Sequence, residues 1–217
     1  MFSLRRLTMT AGVALMLASA AYAQTGTITV TGTNPEAVSM TDTTGAVLSS
    51  TIALGTLTPT NTNTFTTGSG SAVVRLRSTK AYTITAQSSV LNVTGGGSPD
   101  GGETSTLSDI GFGITGMTLT GGNVANSGSR TDSIVSGFDV SGGWPTATNG
   151  LTPSFGKTLA SISSSTQLLS GTRISKKGNL STSDNFISVT IGVATLPQFF
   201  TPNTGFSSVI TLTIAAF

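Results

Sequence analysis

Nucleophilic catalysis in this chain would have to use serine and lysine, because the sequence contains no histidine and no cysteine. Their absence excludes a Ser-His-Asp triad, a cysteine nucleophile and the usual zinc sites. Ser-Lys catalysis stays possible in principle, yet the candidate lysines lie in polar segments. These candidates are Lys80, Lys157, Lys176 and Lys177. We therefore expect a protein that is not an enzyme and that has no cofactor or metal ligands.

The segment GFGITG, residues 111–116, has the spacing of a dinucleotide-binding glycine motif. Such a site needs a strand before the glycines and a helix after them, because the phosphate binds at the N-terminus of that helix. The residues that follow here, MTLTGG, predict a strand and then a turn. We therefore expect these glycines to permit close packing or a bulge within a sheet.

Two other features could contact a ligand. Asp100, Glu103 and Asp109 lie around a glycine-rich loop, where their oxygens could hold Ca²⁺, although the spacing matches no EF-hand and favours a solvated turn. Trp144, the single tryptophan, could stack on a sugar or a membrane. The favoured interpretation is that Trp144 closes one end of a β-sandwich core.

Residues 1–23 have the three parts of a secretory signal peptide. Arg5 and Arg6 form a basic start, and the apolar run over residues 11–21 is too short to cross a bilayer as a helix. The sequence AYA at residues 21–23 has the small-x-small form of a cleavage site. An N-terminal membrane anchor is the alternative. We expect export to the cell surface or into an extracellular fibre.

The mature chain is expected to be electrically neutral. Removing Arg5 and Arg6 leaves eight basic residues, which equals the number of acidic residues. A nucleic-acid-binding protein needs a basic face, and none is visible, so no nucleic-acid partner is expected. Charged residues make up 8% of the chain, against a usual fraction of about 25%. Weak charge repulsion between copies favours self-association.

Short segments rich in Thr, Val, Ile and Phe, separated by turn residues, predict an all-β protein with an antiparallel sandwich or barrel. Helix-like spacing is confined to residues 153–171, where the serine content favours a single turn or a loop. The predicted strands are residues 27–32, 37–42, 51–57, 71–78, 81–87, 116–121, 132–141, 166–175, 186–195 and 208–217.

Both ends of the mature chain carry strongly alternating strand patterns. In an ordinary domain these two strands would belong to one sandwich. In a fibre subunit the N-terminal strand would be donated to a neighbouring copy, where it fills the groove left by a missing strand. Threonine occupies residues 25, 27, 29, 31 and 33, with Gly26, Ile28, Val30 and Gly32 between them.

The two ends also resemble a known family. Residues 28–59, ITVTGTNPEAVSMTDTTGAVLSSTIALGTLTP, resemble the start of chaperone–usher pilins, most of all the Cys-free alpha-type (CS1-like) class. The shared layout is an alternating strand, a Pro-containing link and a V-x-M-x-D-x-x-G pattern. Residues 201–217, TPNTGFSSVITLTIAAF, resemble the closing pattern of these pilins, and spore-coat U-type secreted proteins end in a similar way.

The resemblance implies an incomplete immunoglobulin-like antiparallel β-sandwich that is completed by strand donation between subunits. A periplasmic chaperone would cap the C-terminal strand, and an outer-membrane usher would assemble a homopolymer. Donation would remove an apolar edge that otherwise favours aggregation. The implied donor residues are Gly26, Ile28, Val30 and Gly32, and the implied acceptor groove and C-terminal strand contain Ile210, Leu212, Ile214 and Phe217.

The expected organisation is a signal peptide (residues 1–23), a donor strand (24–33) and a β-sandwich domain (34–217) with a Gly/Ser-rich insertion at about 95–160. The expected function is that of a structural subunit of a bacterial pilus or fimbria that serves adhesion. One alternative is a monomeric secreted β-sandwich that binds a carbohydrate or a surface ligand. A surface-layer or matrix protein is another.

Overall fold

Alternation of apolar and polar side chains along segments rich in β-branched residues gives a fold built mainly from strands. The computed structural model describes residues 29–58, 68–95, 102–120, 132–144, 155–174, 186–195 and 200–217. The chain divides into two units, residues 1–34 and 35–217. The described part of the first unit, residues 29–34, is exposed and belongs to no helix or strand.

The second unit contains all the elements assigned in the described residues. No helix among them is long and apolar enough to cross a membrane. The 3-10 helices are Leu107–Asp109 and Leu159–Ile162. In chain order the strands are β1 (Val38–Thr41), β2 (Gly68–Ser78), β3 (Tyr82–Ser88), β4 (Asn92–Thr94), β5 (Ile110–Thr120), β6 (Ser133–Ile134), β7 (Thr166–Gly171), β8 (Phe186–Thr195), β9 (Gly205–Ser207) and β10 (Ile210–Ala216).

The strands form two four-stranded antiparallel sheets that pack against each other as a sandwich. Sheet A has the order β1-β2-β8-β5, and sheet B has the order β10-β3-β7-β6. A separate small sheet pairs β4 with β9. The all-β class and the antiparallel sandwich predicted from the sequence are therefore confirmed.

The core lies between the two sheets and is lined by alternate residues of each strand. On β2, for example, Val74 and Leu76 are buried, whereas the neighbouring Arg75 and Arg77 lie on the opposite face of the sheet. Loop residues close the ends of the core. Its fully buried large side chains include Tyr82, Phe112, Ile114, Phe138, Ile162, Leu168, Leu169, Ile174 and Ile187.

The predicted strand over residues 51–57 is wrong, because this segment pairs with no strand of the described residues. Its apolar side chains are nevertheless half buried. The positions that a Cβ would take at Gly68 and Gly70 are filled by the side chains of Leu57 and Ile52. Residues 51–57 thus pack across the end of β2 that contains Gly68 and Gly70, and they cover the core there. The alternation of apolar and polar residues in this segment reflects this packing and not hydrogen bonding in a sheet.

The glycine motif at residues 111–116 lies within β5, so it belongs to a sheet as expected, although the predicted strand began only at residue 116. A Cβ at Gly113 would stand 2.7 Å from the carbonyl oxygen of Phe138, and the pairing with β8 shifts register between Ile114 and Gly116. The glycines therefore provide close packing and a bulge. β5 lies inside residues 95–160, for which an insertion was predicted, and it pairs with β8 along its length.

Candidate functional site

β10 forms one edge of sheet B and carries a half-buried apolar face. It pairs with β3 on one side, in a register that sets Leu212 against Ala86 and Ile214 against Ile84. The β3 residues are buried, whereas Ile210, Leu212 and Ile214 are only half buried. Among the described residues no strand pairs with the other edge of β10. Half-burial on this face is what an edge strand shows when its inner side chains lack a covering neighbour.

β1 is the corresponding edge of sheet A and lies beside β10. Met40 of β1 and Leu212 of β10 both line a small apolar cavity of about 10 Å³ between the sheets. A space of this size holds at most one water, so it is a packing gap and not a ligand site. We call this side of the sandwich, with β1 and β10 at its margins, the β1–β10 groove.

The turn after β1 covers part of the β1 edge. Asp42 accepts hydrogen bonds at Oδ1 from the backbone N–H and hydroxyl of Thr44, at 2.7 Å each, and from the N–H of Ala46 at 3.0 Å. The turn brings Val47 back to pair with Thr41. The more accessible edge of the groove is consequently that of β10.

Hydrogen bonds in this turn lower the pKa of Asp42 below its ordinary value. The hydroxyl of Thr44 has the largest effect, desolvation opposes it by a smaller amount, and backbone N–H groups each lower the pKa a little further. In the same way, the hydroxyl and backbone N–H of Ser141 lower the pKa of Asp139. Both carboxylates stabilise turns in their charged form.

The opposite side of the sandwich is closed by backbone hydrogen bonds. The N–H of Phe112 donates to the carbonyl of Lys157 at 2.9 Å, and the N–H of Ile114 donates to that of Phe138 at 2.7 Å. The carbonyl of Ile114 accepts from the N–H of Val140 at 2.9 Å. In the described residues no such bond joins β1 to β10. The two sides of the sandwich therefore differ in whether backbone hydrogen bonds close them.

The residues predicted for strand donation are placed as follows. Gly26 and Ile28 lie outside the described residues. Val30 is 90% exposed, and a Cβ at Gly32 would meet nothing within 4 Å. On β10, Ile210, Leu212 and Ile214 share the half-buried face. Phe217 follows the strand, is 68% exposed, and donates its N–H to the carbonyl of Ala81 at 3.0 Å.

Of the carboxylates considered for Ca²⁺, Asp109 belongs to the capping box of the first 3-10 helix. It accepts at Oδ2 from the N–H and the hydroxyl of the N-cap residue Thr106, at 2.7 Å each. Glu103 is exposed, and its backbone carbonyl accepts the N–H of Thr201 at 2.8 Å. Asp100 lies outside the described residues. In the part of the chain that the structure describes, no group of three or more potential metal-ligating side chains occurs.

Two of the lysines considered for catalysis have identifiable neighbours. Lys80 forms an ion pair with Glu36. Lys157 places its Nζ 5.6 Å from the centre of the Phe138 ring. Lys157 has the S-x-x-K spacing from Ser154, but Ser154, Lys176 and Lys177 all lie outside the described residues.

Trp144 packs on the outer face of sheet A and not across an end of the core. Its ring meets that of Phe155 edge-on, with centroids 5.9 Å apart, and a Cβ at Gly192 would lie 3.1 Å from Trp144 Cζ2. Gly192 stands between the inward-facing Ile191 and Val193 and so faces outward. The prediction that Trp144 closes one end of the core is therefore wrong, because the half-buried ring packs over a glycine of a strand that is distant in sequence.

Comparison of the chain with family models, with curated protein sequences and with solved structures found no significant match in any of the three.

Proposed function

We propose that the protein is a structural subunit of a bacterial surface fibre, assembled when residues 24–33 of one copy pair with β10 of the next. The observation that carries the proposal is the asymmetry of the sandwich. One side is closed by backbone hydrogen bonds, and the other leaves the half-buried face of β10 at an unpaired edge in the described residues. An added strand would cover this face and supply hydrogen bonds to the edge.

The chain also offers a suitable strand to occupy the groove. Residues 24–33 contain no charged side chain and alternate threonine with Gly26, Ile28, Val30 and Gly32. Period-two alternation is the pattern of a strand with one face buried, and β-branched residues favour it. In the proposed assembly Ile28 and Val30 contact Ile210, Leu212 and Ile214 of the next copy.

The resemblance of residues 28–59 and 201–217 to alpha-type pilins supports the same proposal. On this basis the sandwich is immunoglobulin-like, a periplasmic chaperone covers the groove before assembly, and an outer-membrane usher joins the subunits. The exported fibre serves adhesion. The sandwich itself acts as a structural element and not as an enzyme.

The first test uses material sheared from the surface of the producing cell, run on SDS gels with and without boiling and imaged by negative-stain microscopy. Strand exchange between copies predicts a ladder of bands that collapses to one band on boiling, together with thin filaments. A single monomer band without filaments would contradict the fibre and favour a monomeric secreted β-sandwich that binds a carbohydrate or a surface ligand.

A cross-linking test locates the contact between copies. The chain contains no native cysteine, so only introduced cysteines can form disulfides. Val30→Cys is combined in turn with Ile210→Cys, Leu212→Cys or Ile214→Cys, because a disulfide needs Cβ atoms about 4 Å apart and the register sets which pair meets. One of these pairs should give covalent multimers under mild oxidation.

The matched control combines Val30→Cys with Leu119→Cys. Leu119 is 49% exposed and lies on β5, at the opposite edge of the sandwich. This pair should stay monomeric on denaturing gels. Equal cross-linking of the control and the β10 pairs would show that the contact is not specific to the β1–β10 groove.

A further inference from the structure

Residues 48–57, which we call the strap, pack against the core without pairing in a sheet. Leu48, Ile52 and Leu54 are half buried and contact the buried cluster between the two sheets. Within the described parts of the chain, no hydrogen bond or strand pairing involves the strap. It is therefore held by apolar contact alone, and a segment held in this way opens more easily than a strand inside a sheet.

The strap fills space on the inner face of β2. Side chains alternate between the two faces of a strand, so Gly68 and Gly70 lie on the same face as the buried Val74. A Cβ at Gly70 would lie 2.5 Å from Cγ2 of Ile52, and a Cβ at Gly68 would collide with the side chain of Leu57. The strap thus takes, between the sheets, the space that side chains of β2 would otherwise occupy.

This space belongs to the β1–β10 groove. Residues 79–81 connect β2 to β3, and the strands of packed sheets run within about 30° of each other, so the Gly68 end of β2 lies over the Ser88 end of β3. Ser88 pairs with Ile210 of β10. Ile210 packs against the same buried cluster as the strap. A strand that is donated to β10 therefore enters space that the strap fills.

The strap has a second place to go. β1 pairs with residues 75–78 of β2, and on that edge no strand of the described residues pairs with residues 68–74. Ile52 and Leu54 alternate with exposed residues, a pattern that also suits an edge strand. Gly55 has a φ of +71°, and glycine exchanges this left-handed conformation for an extended one without steric cost. The strap can therefore leave the groove and extend sheet A along β2.

We propose that the strap regulates strand donation, a role that rests on the proposed function of the groove. In the single copy the closed strap covers the Ile210 end of the groove. When a donated strand enters, the strap moves out and pairs with the free edge of β2. The closed strap lowers the apparent affinity for the strand, because only the chains with an open strap can bind it. It also shields apolar surface that would favour aggregation before assembly.

A disulfide that holds the strap closed provides the first test. Ile52→Cys and Gly70→Cys are combined in the full chain, because the close approach of these two positions brings their Cβ atoms within disulfide range. A fluorescent peptide with the sequence of residues 24–33 is titrated against the oxidised and the reduced protein and followed by anisotropy. The oxidised protein should bind the peptide at least about tenfold more weakly, and reduction should reverse this loss.

Gly55→Ala should act in the opposite direction. A Cβ at Gly55 would meet nothing within 4 Å, so alanine strains the left-handed backbone of the closed strap and leaves the extended form unaffected. The affinity for the peptide should rise about fivefold to thirtyfold, which corresponds to the usual cost of a left-handed alanine. Gly143→Ala is the matched control. Gly143 has a φ of +104° and equally open surroundings, but it lies next to Trp144 and outside the groove, so this variant should leave the affinity unchanged.

The outcomes separate the strap from strand donation itself. Equal affinities of the oxidised and reduced proteins, or equal effects of Gly55→Ala and Gly143→Ala, would overturn the role of the strap and leave strand donation intact. Failure of the peptide to bind any of these proteins would contradict strand donation, and with it the strap. The single variant Ile52→Cys reports the movement directly. Its thiol should react faster with a maleimide when the peptide is bound, and an unchanged rate would show that the strap stays in place.

Discussion

The absence of a side chain at Gly113 decides how closely the neighbouring segment approaches β5. The carbonyl oxygen of Phe138 accepts the N–H of Ile114 at 2.7 Å, and a Cβ on Gly113 would lie 2.7 Å from the same oxygen. Backbone atoms cannot rotate away as the end of a flexible side chain can. The glycine is therefore required by the hydrogen bond that closes this side of the sandwich.

We predict that Gly113→Ala lowers the free energy of unfolding by about 1–3 kcal/mol, the usual cost of forcing an extra methyl group into a packed site. Gly116→Ala is the control in the same strand, because its Cβ would meet nothing closer than 3.7 Å. Gly116→Ala should change the free energy of unfolding by less than about 1 kcal/mol, and any change should favour the folded state. Urea denaturation measures both, and equal losses would refute the steric argument.

Among the elements, strands with strong alternation and turn residues at both ends were predicted well from the sequence. β8 occupies residues 186–195, as expected, and β10 lies within the predicted 208–217. β4 and β9 were missed because each has only three residues and the two strands pair from distant parts of the sequence. The alternation of apolar and polar residues shows which face of a strand is apolar. It does not show whether the strand lies at the edge or in the centre of a sheet, because it is equally strong in both.

The same limit applies to the candidate site. The sequence predicted that Ile210, Leu212 and Ile214 share one face of a strand, and the structure places them so. Their half-burial depends on strand order, which brings β10 to the edge of sheet B beside β1. The contact between the Arg75 guanidinium and the Phe186 ring was not foreseen either, because Phe186 lies on a strand about 110 residues away in sequence.

The turn that ends β1 should make stability depend on pH in acid. The pKa of Asp42 is lower in the folded chain than its ordinary value of 3.8, chiefly because of the Thr44 hydroxyl. The folded state therefore binds fewer protons than the unfolded state, and the stabilisation is present above pH 3.8 and disappears as pH falls through the lower, folded pKa. Asp42→Asn should lower the urea midpoint at pH 6. Below pH 4 the urea midpoint of this variant should decline less than that of the original chain.

Thr44→Ala provides the check on this cause. It removes the hydroxyl that contributes most to the lowered pKa and keeps the carboxylate and the backbone donors. Its urea midpoint between pH 2.5 and pH 6 should lie between those of the original chain and Asp42→Asn. A variant indistinguishable from the original chain over this range would show that the hydroxyl is not the main cause.

At the scale of the whole molecule, the charge balance and the asymmetric sandwich both support the proposed association between copies. Residues 24–217 contain eight basic and eight acidic side chains, which leaves little net charge to oppose it. The half-buried face of β10 supplies apolar contact, and its edge supplies unpaired backbone groups in the described residues. In the proposed assembly, burial of both by one donated strand would remove a surface that otherwise favours non-specific aggregation.

Peptide complementation tests whether residues 24–33 are the strand that covers this surface. A variant lacking these residues is mixed with a synthetic peptide of the same ten residues, Gln24 to Thr33. A ligand that binds the folded state alone stabilises it by about 2.7 kcal/mol at a hundred times its dissociation constant. The unfolding temperature of the variant should therefore rise with peptide concentration. A peptide with Ile28→Asn and Val30→Asn should have no effect, since these side chains supply the apolar contact. Equal stabilisation by both peptides, or no stabilisation by either, would contradict strand donation at the β1–β10 groove.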